Sequence, residues 1–138
     1  MRTVNTPSGR LAFGVTYRSK ETVLLSEQVV AAFLHKLQLI MEIHRIDRLE
    51  PVVLSVPAYY NVFERRALLD AAAIGGMKVS RLINESTAVA IDYALNRRSE
   101  FLQNSPKYVL FVDFGHSKLS LTTISFTREK VAVVCQHN

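Results

Sequence analysis

Glu85 and Asp113 stand where strand-like runs of this sequence give way to a helix start and to a glycine turn. Open α/β sheets present ligand sites at the carboxyl ends of their strands, so both carboxylates are candidates for chemistry. In Asn84-Glu85-Ser86-Thr87 a strand ends, a carboxylate and two hydroxyls follow, and an alanine-rich helix begins. The first amides of a helix lack intrahelical acceptors and favour an anion such as a phosphate. A glutamate there can hold a water of a bound Mg²⁺ or orient an attacking water. The same residue types are what any helix start prefers, and the tetrapeptide alone favours that plainer capping role. Asp113 is delivered by Tyr108-Val109-Leu110-Phe111-Val112, which reads as a buried strand, and is followed by Phe114-Gly115-His116-Ser117. An aspartate beside such a turn can hold a metal-bound water while turn amides line phosphate oxygens. It can equally begin a hairpin through its own backbone hydrogen bonds.

Other reactive side chains offer less. His35, His44, His116 and His137 have no metal-ligand spacing with Cys135 or with one another, so no direct metal ligand is expected. Ser55 and Ser86 lack the G-x-S-x-G setting of a hydrolase nucleophile. The Phe33/Leu37/Met41 stripe reads as core packing, and Tyr59-Tyr60 as the anchor of a turn. A net charge of +5 raises nucleic-acid binding as a class. The basic residues come only as scattered pairs, such as Arg65-Arg66 and Arg97-Arg98, with no interleaved aromatics to stack bases, so nucleic acid is not an expected partner. No apolar run approaches the ~20 residues of a membrane span, and no membrane partner is expected. The first ten residues lack a signal-like apolar region, and the single Cys135 has no internal disulfide partner, which together predict a cytoplasmic setting.

These groups must be positioned by regular elements, and 138 residues suffice for one core. Residues 1–10 are polar, carry Pro7 and Gly9, and read as a flexible lead-in. Leu11, Phe13, Val15 and Tyr17 alternate as a strand, Arg18 to Glu21 turn the chain, and Thr22–Leu25 return. Ser26 is the expected cap of a helix running to about Ile43. Val52–Val56 reads as a buried strand and Val62–Ile74 as a helix that Gly75-Gly76 stops. A strand over Lys78–Ile83 and a helix from Ala88 to Leu95 follow. Residues 96–106 form a polar connection, then Tyr108–Val112, Leu119–Phe126 and Val131–Cys135 are strands. Strands alternating with helices and then an antiparallel strand run define an α/β class.

Joint order lifts these separate signals. Val56-Pro57-Ala58-Tyr59-Tyr60-Asn61, Glu64-Arg65-Arg66-Ala67, Ile74-Gly75-Gly76 and Arg81-Leu82-Ile83-Asn84-Glu85-Ser86-Thr87-Ala88 through Tyr93 closely resemble the 70-kDa heat-shock chaperone family. The resemblance continues through Val109–Gly115 and covers most of the chain. It implies part of an actin-like ATPase (ribonuclease H-like) fold, in which ATP or ADP and Mg²⁺ lie between two lobes. Residues 11–95 would then belong to the first lobe, 96–106 to a connection, and 107–138 to the start of the second lobe. Glu85 matches the family's carboxylate near the γ-phosphate and a metal-bound water. Asp113 matches the aspartate that opens the second phosphate loop, and Gly115 one of that loop's glycines. His116 and Ser117 complete the loop as cofactor-binding candidates, Ser117 with a hydroxyl to offer. Pro57, Arg65 and Arg81 match residues that couple nucleotide state to the family's other domain and its partners.

Two departures refine this. The family's Asn-Glu-Pro-Thr is Asn84-Glu85-Ser86-Thr87 here, and its Asp-Leu-Gly-Gly-Gly-Thr is Asp113-Phe114-Gly115-His116-Ser117-Lys118. Both changes resemble the 110-kDa branch, whose members bind ATP, act as nucleotide-exchange factors for 70-kDa chaperones and hold unfolded polypeptides. The parent is therefore expected to be at most a slow ATPase engaged in protein folding and the stress response. The family's first phosphate hairpin, catalytic lysine and adenosine segment have no counterpart, so this chain alone is expected to be inactive and to retain ATP weakly or not at all. The rival readings are part of another actin-like ATP-dependent enzyme, such as a sugar kinase, or an inactive truncated product.

Overall fold

Alternating side chains over Leu11–Tyr17 build strand β2, which pairs antiparallel with β3, Lys20–Leu25. A computed structural model describes residues 2–7, 9–44, 51–116 and 118–137. The β2–β3 turn is only Arg18-Ser19, with φ of 49° and 62° and with Tyr17 facing Lys20 across the ladder. Two left-handed residues suit the right-handed twist of the flanking strands, so Lys20 and Glu21 join the returning strand. The lead-in also departs from expectation. Arg2–Asn5 is strand β1, antiparallel to β2 with Thr3 opposite Phe13. Its hairpin is closed by Thr6, whose N–H and hydroxyl donate to the Arg10 carbonyl at 3.0 and 3.1 Å. Gly9 takes the left-handed φ of +74°. Backbone pairing does not depend on side-chain polarity, so a polar segment with Pro7 and Gly9 turned out to be a strand and its turn.

Helix α1 spans Ser26–Ile43 and α2 spans Val62–Ile74. Leu25, not Ser26, holds the cap position of α1, and its N–H donates to the Gln28 side chain at 2.9 Å. Asn61 and Glu64 form a reciprocal cap on α2. The Asn61 Oδ1 accepts from the Phe63 and Glu64 amides at 2.8 and 3.0 Å, and Glu64 Oε2 accepts from the Asn61 N–H at 2.7 Å. The far end closes as expected: Gly76, at φ +80°, donates to the Ala73 carbonyl and Met77 to that of Ala72. The two helices pack through small residues, with Ala31, Leu34, Ala71 and Ala72 buried. The expected Phe33/Leu37/Met41 core stripe is corrected, since Phe33 is 62% exposed and Leu37 also faces outward. Alanines let the backbones approach so closely that the buried face is the Ala31–Leu34 face instead.

Strands β4, Val52–Val56, and β5, Val79–Asn84, form a two-stranded sheet. Helix α3 runs Glu85–Asn96, beginning three residues before the expected Ala88. Lys107–Phe114, Leu119–Phe126 and Val131–His137 are β6, β7 and β8 of an antiparallel sheet, as the closing run predicts. One face of β6 is uncovered, contrary to a fully buried strand, with Leu110 and Phe114 exposed and Val109 and Phe111 turned inward. Residues 1–54 with 61–81 form one compact unit, and residues 55–60 with 82–138 another. This division does not fall at 96–106, because Tyr93 and Ala94 of α3 pack on Phe101, Ile124 and Phe126.

Gly75, at the end of α2, lies close against α1: a Cβ there would be 2.8 Å from the Ala31 carbonyl oxygen. Its φ of −73° suits alanine, so any cost of Gly75→Ala is steric. The substitution should destabilise the chain by about 1–3 kcal/mol, read from urea denaturation, because one helix backbone must move.

Candidate functional site

The second unit contains a cavity of about 280 Å³ whose walls include Glu85, Asp113, Lys118, Ser120, Thr122 and Gln136. Glu85 opens α3, and Asp113 lies near the end of β6. In the ladder Asp113 pairs with Ser120 and Phe111 with Thr122, which sets their side chains on one sheet face. Along β7 that face holds Phe126 and Ile124, then Thr122 and Ser120, all buried. The apolar core therefore gives way to hydroxyls within one strand, and the cavity begins where the core ends. Ser86 also lines it and donates a long 3.5 Å hydrogen bond to Gln136 Oε1.

Lys118 is the charged centre of the cavity. Its Nζ donates to Glu85 Oε2 at 2.8 Å and lies 4.9 Å from the centroid of the Tyr59 ring. The pair is part-exposed, with the Lys118 side chain 25% and that of Glu85 43% accessible. The Glu85 hydrogen bond holds the Lys118 ammonium above its ordinary pKa. Burial opposes this, and the charges of Glu85, Tyr59 and Asp113 reinforce it.

The structure thus brings Glu85 and Asp113 to one cavity, and treats the other sequence candidates differently. Asn84 holds the cap position of α3 without a side-chain capping hydrogen bond, and Glu85 is the acidic residue of its first turn, where it suits the helix dipole. Gly115 is exposed, and its N–H donates to the Lys118 carbonyl at 2.9 Å within the turn rather than pointing into the cavity. His116 is exposed and is not part of the cavity wall. Ser117 lies outside the described residues. Pro57 is half-buried and accepts from the Tyr60 N–H at 3.2 Å. Arg65, on α2, is half-buried, and Arg81, on β5, is exposed. Sequence reasoning missed Lys118, Ser120, Thr122 and Gln136. The available signal for Lys118 was its replacement of a threonine in the family pattern.

At about 280 Å³ the cavity has room for a phosphate-sized group, near the lower end of the ~300–1,000 Å³ usual for small-molecule sites. Its donor set does not suit a divalent cation at Glu85, because that carboxylate already serves an ammonium. Among the described residues, no group of three or more His, Cys, Asp or Glu side chains gathers to hold a metal. No helix among them is long and apolar enough to cross a membrane.

The mixed α/β architecture agrees with a domain of the Hsp70 type, and the Hsp70 protein family profile matches residues 2–136. The chain belongs to the Hsp70 protein family. Its similarity runs to larger heat-shock proteins of the 110-kDa type. It is 37% identical over 132 residues to Heat shock 70 kDa protein 4 of Homo sapiens, covering 95% of this chain and 16% of that protein. It is 33% identical over 127 residues to Heat shock protein 88 of Dictyostelium discoideum, covering 92% of this chain and 16% of the other. To the 97 kDa heat shock protein of Strongylocentrotus purpuratus it is 34% identical over 129 residues, covering 93% and 14%. The chain thus spans about one sixth of the length of these relatives.

Because the folded-state pKa of Lys118 is raised, the stability the pair contributes is complete below the pKa of an unfolded lysine. It is lost as pH rises through the folded value. An NMR titration of the Lys118 side chain should give a midpoint above that of free lysine, and Glu85→Gln should lower it. An unchanged midpoint in the variant would remove Glu85 as the principal cause.

Proposed function

We propose that the full-length protein is an ATP-binding chaperone of the 110-kDa heat-shock type. In this reading it is a nucleotide-exchange partner of a 70-kDa chaperone, a holder of unfolded polypeptide and at most a slow ATPase, acting in the cytoplasm during stress. Family membership and relatives named as heat-shock proteins support the class. The observation that carries the site is the common cavity of Glu85 and Asp113, residues 28 positions apart in sequence. On this reading the chain supplies one wall of a nucleotide cleft in an actin-like, ribonuclease H-like fold.

The family's general ligands are ATP or ADP with Mg²⁺. In this proposal Glu85 and Asp113 face the phosphates, and Ser86, Ser120 and Thr122 surround them with hydroxyls. Gly115, His116 and Ser117 are its further cofactor-binding candidates, by their place in the sequence. Pro57, Arg65 and Arg81 couple the cleft to the rest of the protein. Glu85 bound to Lys118 is poorly placed to orient an attacking water, which favours exchange and holding over hydrolysis.

Calorimetric titration of the 138-residue chain with Mg-ATP should give no low-micromolar, stoichiometric binding. Such binding would overturn the claim that the cleft needs more of the protein. The full-length protein should accelerate release of labelled ADP from a 70-kDa chaperone by at least about tenfold at equimolar ratio, a difference of ~1.4 kcal/mol in barrier. If it leaves release unchanged and instead phosphorylates a sugar in the same mixture, the kinase reading replaces this one.

A further inference from the structure

Lys118 places a positive charge where a ligand of the cavity would otherwise meet two carboxylates. Its Nζ is 2.8 Å from Glu85 Oε2, and the Tyr59 ring lies 4.9 Å away. The ammonium is thus held both by an ion pair and by the negative face of an aromatic ring. Asp113 shares the same cavity wall and adds a second negative charge. An ammonium remains protonated at neutral pH, so the cavity keeps this positive charge under ordinary conditions.

We infer that Lys118 is a built-in counter-cation that excludes divalent ions from the Glu85–Asp113 cavity, and that removing its charge exposes a latent site for a hard divalent cation. A divalent ion seeking Glu85 must displace the ammonium or settle beside it, and either route opposes binding through charge repulsion. With the charge removed, Glu85 and Asp113 carboxylates and the Ser120 and Thr122 hydroxyls offer the oxygen ligands that Mg²⁺ and Mn²⁺ prefer. Lys118 is therefore a specificity-determining residue: it selects which ions the cavity admits without itself reacting. The cavity is left to a phosphate-bearing ligand that brings any metal already bound to its own oxygens.

This inference rests on the nucleotide-cleft reading only for the kind of ion that matters. The experiment uses no nucleotide, so its failure is distinct from failure of ADP release. Mn²⁺ is titrated into the ¹⁵N-labelled chain and paramagnetic broadening of each amide is followed. Wild type should show no selective broadening at Glu85 and Asp113 beyond that at surface carboxylates such as Glu21 and Glu129. Lys118→Met should acquire it, with apparent Mn²⁺ affinity at least about tenfold tighter than wild type. Lys118→Arg, which keeps the charge, should behave as wild type. Selective broadening of the wild-type chain at Glu85 and Asp113, or none in a folded Lys118→Met, would overturn the inference. Should Lys118→Met lose its amide dispersion, wild type and Lys118→Arg decide: selective broadening at both carboxylates in either one overturns it, and its absence from both supports it.

Discussion

Packing around the Phe126 ring fixes α3 on the β6–β7 sheet, and the geometry of the cavity follows from it. Phe126 is fully buried and stacks on Phe101 at 5.2 Å with the planes 12° apart. Tyr93 meets Phe126 at 5.1 Å and Phe111 edge-on at 5.5 Å. Complete burial of one such ring is worth about 1.5–3 kcal/mol in area alone, and favourable aromatic geometry adds to it. Tyr93 sits about two helical turns from Glu85 and Phe111 two strand residues from Asp113, so rigid elements carry the registration of the rings to the carboxylates. The site therefore depends on a contact that holds no functional group.

The same packing explains where the cavity stops. Ala90, Tyr93 and Ala94 cover Ile124 and Phe126, while Ser120 and Thr122 lie further along the same strand face, where α3 begins. Burying hydroxyls without partners costs free energy, so a strand face that changes from Phe and Ile to Thr and Ser belongs beside a polar space. The first unit is organised differently. Its helices meet through alanines and Gly75, and large apolar groups such as Phe63 and Ile43 remain outside at 84% and 74% exposure.

Much of this was legible from residues whose physics is local. Val62–Ile74 was readable because Gly75-Gly76 supplies a left-handed stop, and β7 because apolar and small polar residues alternate through Ile124 and Phe126. The expectation that Glu85 and Asp113 serve one site came from the family resemblance, because each carboxylate taken alone suits a plainer role. What escaped reading depends on partners distant in sequence. β1 looks like a polar tail until β2 pairs with it, and the α1 face is chosen by Ala31 meeting α2 rather than by the bulk of Phe33. Lys118 was visible only as a departure from a pattern. Nothing local says that a lysine five residues after Asp113 reaches back to the start of a helix 33 residues earlier.

That reach changes how the cavity handles charge. In a glycine-rich phosphate loop, successive backbone amides aim inward and neutralise a ligand through partial charges. Here the Gly115 amide closes the turn on the Lys118 carbonyl, and the positive φ values of the described glycines belong to Gly9 and Gly76. Positive potential is supplied instead by one side-chain ammonium and by the amide end of α3. An ammonium on a flexible stem differs from fixed amides because it can follow its strongest partner. With a carboxylate beside it, that partner is Glu85, and a phosphate must compete for it. A phosphate in this cavity would meet a movable ammonium in place of the fixed partial charges of an amide cradle, and would share it with Glu85.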